Sequence, residues 1–195
     1  TGGVTAASST RAKTVSINNG GAVDLNGAVT ADSGFSSVGT TFDNTGGQIT
    51  TQGTDISINH TGNVIVGDNL QSQGGLIKVI SGGSLTIANG KVANSGSGII
   101  EMQAANDIRL GGVKTTNSTD FAVKLTSTGG SIIDNGDSDL DVDAANGKLT
   151  IEAYGGIGQG NPLEIKVKSL DAFSNTSGDI GFLETDAIDL VNMRT

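Results

Sequence analysis

The sequence predicts an all-β chain, a right-handed single-stranded parallel β-helix of about eight coils with repeats of 19–23 residues, built as one solenoid unit over residues 1–195. Three observations predict it. Similar apolar pairs return at fixed steps: Ile77, Ile100 and Val123 are 23 apart, and Val15, Phe35 and Ile56 step by 20 and 21. The apolar residues alternate with polar ones over short runs, which buries one face of a strand and wets the other. The composition is that of strands and corners, with 31 glycines, one proline, no cysteine, no tryptophan and 3% aromatics.

In chain order the alternating runs are AVDLN from Ala22, NVIVG from Asn63, LIKVI from Leu76, SLTIA from Ser84 and IIEMQ from Ile99. They continue with DIRLG from Asp107, AVKLT from Ala122, KLTIE from Lys148, EIKVK from Glu164 and AIDLV from Ala187. Strands this short bury little alone; stacked coil on coil, their inward residues become continuous ladders. A further series, Val142, Ile165 and Ile188, has the 23-residue step after one shortened step of 19 from Val123. Glycine pairs at 20–21, 46–47, 74–75, 82–83, 111–112, 129–130 and 155–156 are expected to supply corners with positive φ. A β-sandwich also spaces short strands by turns, but gives no reason for a 23-residue step to return the same apolar pair.

The net charge of −9 and a pI near 4.3 argue against nucleic acid as a partner, since phosphate neutralisation needs clustered Lys and Arg. No apolar run has the ~18 residues of a membrane span. The absence of cysteine excludes disulfides, thiol catalysis and thiolate metal sites. The chain begins in TGGVT and stops in AIDLVNMRT, where a coil has only just started, with no amphipathic capping helix at either end. The expectation is a segment of a longer repetitive chain, its partners being neighbouring β-helical segments or further copies stacked end to end.

The segments GGSLTIANGKV, NGKLTIEAYGGIGQGNPLEIKVKSLDAFS and SGDIGFLETDAIDL resemble the repeat region of filamentous-haemagglutinin-like surface proteins, large bacterial adhesins, over roughly residues 45–190. The resemblance implies a β-helical shaft located outside the cell or on the bacterial surface, associated with the outer membrane. It implies an adhesive or fibre-forming function and carries over no functional residue.

Chemistry is sparse. A polysaccharide lyase or hydrolase on a β-helix needs long loops, convergent carboxylates and aromatic platforms. This chain has one tyrosine, Tyr154, and five phenylalanines, of which Phe35, Phe121 and Phe173 read as core or corner packing. The expectation is therefore a non-catalytic chain, with a glycan- or protein-binding module, of host or bacterial surface ligands, as the alternative. The densest acidic stretch is DNGDSDLDVD, 134–143. Read as a strand, it puts Asp137, Asp139, Asp141 and Asp143 on one face with Leu140 and Val142 inward. Calcium, an oxygen-seeking cation, is the only cofactor this stretch suggests. His60, the one histidine, reads as a surface corner residue without a partner, and Arg109 as the partner of Glu101 or Asp107 across the outer surface.

Overall fold

A computed structural model describes residues 3–176 and 178–195, so that Thr1, Gly2 and Ser177 of the expected unit lie outside it. The described residues form strands, turns and bends without a helix, and the strands pair in parallel as a β-solenoid of about nine turns, one more than expected. No helix is long and apolar enough to cross a membrane.

Each coil has three faces. The first carries Val4–Ala6, Val23–Leu25, Phe42–Asp43, Val64–Val66, Leu85–Ile87, Ile108–Leu110 and Ile132–Asp134. The second carries Thr10–Ala12, Val29–Ala31, Ile49–Thr51, Leu70–Gln71, Ala93–Asn94 and Val113–Lys114. The third carries Val15–Asn18, Phe35–Gly39, Ile56–His60, Ile77–Ser81, Ile100–Ala104 and Val123–Ser127. In the next two coils the second and third faces fuse into the long strands Val142–Ala153 and Leu163–Ser174.

Register follows the sequence ladder along most of the rod. Val15 pairs with Phe35, Phe35 with Ile56, Ile56 with Ile77, Ile77 with Ile100 and Ile100 with Val123. From Phe35 onward these side chains are at most 2% exposed, and each contributes roughly 1.5–3 kcal/mol by leaving water. The ladder then departs from the expected series. Val123 pairs with Leu149, not Val142; Val142 belongs to the second face and pairs with Val113 before it and Ile165 after it. Ile165 in turn pairs with Glu184, so Ile188 does not continue its series.

The glycines act differently from the expectation. Of the predicted corner pairs, Gly46 and Gly74 have positive φ, at 81° and 124°. Gly75, Gly82 and Gly111 are needed for close approach, because a Cβ there would overlap the backbone of Thr54, Thr61 and Ala88 in the preceding coil. Gly82→Ala is therefore expected to cost about 2–3 kcal/mol by overpacking. At Gly90, where φ is 69° and nothing lies within 4 Å of a Cβ, alanine is expected to cost only about 1 kcal/mol. Urea unfolding of the two variants checks this, and equal losses would remove coil approach as the reason for glycine at position 82.

Buried hydroxyls close the corners. Ser72 Oγ donates to the Gly75 carbonyl at 2.5 Å, Ser95 Oγ to Gly98 at 2.7 Å, and Thr115 Oγ1 to Gly98 at 2.6 Å. At the end of the third face a column runs Gly39, His60, Ser81, Ala104, Ser127, Ala153, all small residues except the histidine. Its histidine fits because its axial neighbour is a glycine.

Candidate functional site

An acidic corner stands out among the described residues. Up to this point the corners between the first and second faces hold two to five residues, the tightest being Gly111 and Gly112 between Leu110 and Val113 and the longest 44–48 and 88–92. One coil later, residues 135–141 fill the same corner between Asp134 and Val142, and in the coil after that residues 158–162 separate Ile157 from Leu163. The seven-residue corner 135–141 is the longest between these faces among the described residues, and the five-residue stretch 158–162 follows it in the next coil.

Asp134 ends the strand Ile132–Asp134 at an inward position and pairs with Leu110. It is 8% exposed. Its Oδ1 accepts the Gly136 N–H at 2.8 Å, and its Oδ2 accepts Asn161 Nδ2 from the next coil. Asp141 is fully buried, with Oδ2 accepting the Glu164 N–H at 3.0 Å and Oδ1 without any hydrogen-bond partner. Its backbone ties three coils, since its N–H donates to Glu164 O and its carbonyl accepts from Val113 N, both at 2.8 Å.

One carboxylate oxygen from each of Asp134, Asp141 and Glu164 lies within 4.8 Å of the other two. Asp137 Oδ2 and Glu164 Oε2 are also buried without partners. None of the ion pairs among the described residues includes these four carboxylates. Burial, followed by the charge of Asp134, pushes the Asp141 carboxyl up to about 8, with Glu164 and Asp137 adding to the effect and the Glu164 N–H opposing it.

The four aspartates singled out from sequence do not share a strand face. Residues 137–141 are not strand, Asp141 points inward, and Leu140 is half-buried. Asp139 is exposed, its N–H donating to Asp137 Oδ1 at 2.9 Å, and Asp143 pairs with Lys114 Nζ at 2.6 Å. Of the four, only Asp141 belongs to the triad. Asp134 and Glu164 escaped the sequence reading, although one signal was present: SIID stands where the preceding coil has DIRL, placing aspartate at an inward leucine position.

Two other residues differ from expectation. His60 is buried, not superficial; it shares a 3.0 Å hydrogen bond with Ser37 Oγ and its ring lies 5.3 Å from that of Phe42. Burial pushes its pKa below the usual imidazole value, against a smaller upward pull from the Thr41 backbone. Phe121 is 76% exposed and packs in no core, whereas Phe35 is buried and Phe173 lies under Arg194, whose guanidinium carbon is 4.7 Å from the ring centroid. Arg109 lies 3.8 Å from Asp107, one of its two expected partners.

On the outer third face, Lys78, Ile80, Glu101, Gln103, Lys124 and Glu152 line a shallow groove of about 230 Å³. Lys78 Nζ donates to Glu101 at 2.9 Å across the coils, an exposed pair worth roughly 0–1 kcal/mol. Comparison with protein families, with curated proteins and with solved structures finds no match to the chain.

Proposed function

We propose that the chain is a length of structural shaft in an extracellular or bacterial cell-surface protein, adhesive or fibre-forming, of the filamentous-haemagglutinin-like kind its repeats resemble. It does no catalysis in this reading. The observation that carries the reading is the stacking ladder Val15, Phe35, Ile56, Ile77, Ile100, Val123, Leu149, Leu170, one apolar residue per coil without a gap over eight successive coils. A stack of this kind sets distance. Each coil adds about 4.8 Å of length, the strand hydrogen bonds run along the rod, and the apolar ladders resist bending.

Further coils, of the same chain or of a second copy, are the partners that suit its edge. The strand Asp189–Arg194 is exposed along its whole length, with Leu190 56%, Val191 51% and Met193 46% exposed. Covering such an edge with another strand removes both unpaired backbone groups and wet apolar area.

A second reading, a glycan- or protein-binding module, is favoured by the groove beside Lys78 and Lys124. The experiment that separates them applies the labelled chain to glycan arrays, to bacterial and host cells and to a panel of polysaccharides. A shaft gives no saturable binding and releases no reducing ends. Saturable binding lost in a Lys78→Ala, Lys124→Ala variant would put the binding module in its place, and polysaccharide cleavage would make the chain an enzyme.

A further inference from the structure

Three carboxyl groups, Asp134, Asp141 and Glu164, meet at one corner, and no ion pair among the described residues includes any of them. A fully buried carboxylate oxygen normally has a hydrogen-bond donor or a cation against it, because an unpaired charge in the interior is costly. Asp141 Oδ1 has neither, although the residue is 0% exposed and contributes to a cluster whose oxygens lie within 4.8 Å of one another. Of the six buried side-chain atoms without a hydrogen-bond partner among the described residues, three, Asp137 Oδ2, Asp141 Oδ1 and Glu164 Oε2, gather at this corner, the others being the scattered Thr54 Oγ1, His60 Nδ1 and Glu184 Oε2. The hydroxyls of Ser72, Ser95 and Thr115 at other corners each find a carbonyl.

We propose that Asp134, Asp141 and Glu164 bind one calcium ion at the stacked corners 135–141 and 158–162. The spacing fits the ion. Calcium holds its oxygens at about 2.3–2.6 Å, so two ligands of one ion lie at most about 5 Å apart. The triad falls inside that limit. The donor set selects the metal class, because an all-carboxylate site without imidazole or thiolate suits a hard cation, not zinc. Calcium is favoured over magnesium by the irregular loop geometry, as magnesium demands a near-ideal octahedron. The ion ties Asp134 and Asp141, at the two ends of one widened corner, to Glu164 of the next coil. It replaces repulsion between stacked carboxylates with a shared charge. The inference stands on the corner alone and does not depend on the shaft function.

The test is calorimetric titration of metal-stripped protein with CaCl2, together with thermal unfolding in EDTA, in CaCl2 and in MgCl2. One calcium per chain is expected, with Kd in the range of about 10⁻⁵–10⁻³ M. At a hundred times Kd the Tm should rise by about 5–10 °C. Asp141→Asn and Glu164→Gln should each weaken binding at least about tenfold, as loss of a charged ligand from a three-carboxylate site implies. Asp139→Asn, on the exposed side of the loop, should bind as the parent does. Absence of binding at millimolar calcium would overturn the proposal. So would an equal response to magnesium, or retention of calcium by a folded Asp141→Asn, Glu164→Gln double variant.

Discussion

Excision of residues 77–99 is expected to leave a folded solenoid one coil shorter. The cut joins Leu76 to Ile100, and Ile100 occupies the position on the third face that Ile77 held, since the two are axial partners. After the cut, Val64–Val66 meets Ile108–Leu110 and Leu70 meets Val113, so every face regains a partner of its own kind. The expected loss is about 1–3 kcal/mol, from ~0.05–0.15 kcal/mol per residue removed, or a Tm fall of about 3–10 °C. Excising residues 77–88 instead removes strands of the third and first faces and leaves their neighbours opposite a strand of the wrong face. That variant is expected to lose cooperative unfolding altogether. Circular dichroism melts of the two deletions check the pair, and similar melts would contradict a register-locked stack.

Asp141→Asn is expected to stabilise the protein in EDTA, increasingly so as pH rises. The folded-state value of about 8 stands above the ordinary 3.8, so between these limits the folded chain keeps a proton that the unfolded chain has released. The stabilisation from that proton is fully present below the unfolded value and is lost as pH rises through about 8, at up to about 1.4 kcal/mol per pH unit. The groups facing Asp141 are the carboxylates Asp134, Asp137 and Glu164, with the Glu164 N–H as the single opposing donor. An amide in place of the carboxyl removes the charge and donates toward them, so the slope between pH 5 and pH 8 should flatten. Urea midpoints across that range measure it, and parallel curves for parent and variant would mean that burial does not hold the Asp141 proton.

Most of the fold was legible because a parallel stack repeats one physical demand. Ile77, Ile100 and Val123 are similar residues at one spacing because each fills the same slot against its axial neighbour. The reading slipped at Val142 because alternation reports which residues point inward without reporting which face they belong to. Val142 and Leu149 both alternate correctly, and only the fused strand Val142–Ala153, with a register shift between Ala144 and Lys148, decides that Leu149 stacks on Val123. The acidic corner was half legible. Its charge density was visible, but a period of two was imposed on 137–143, where the chain turns and Asp141 faces the interior. His60 was missed for a related reason, since a buried histidine needs a glycine beneath it and Gly39 is distant in sequence.

The central claim is that coils are additive units of length. Small-angle X-ray scattering of the parent, the 77–99 deletion and a deletion of residues 56–99 tests it most directly. The account predicts one cross-section for all three and a rod shortened by about 4.8 Å for each coil removed. A change in cross-section, or a length that does not fall in step with coil number, would contradict it.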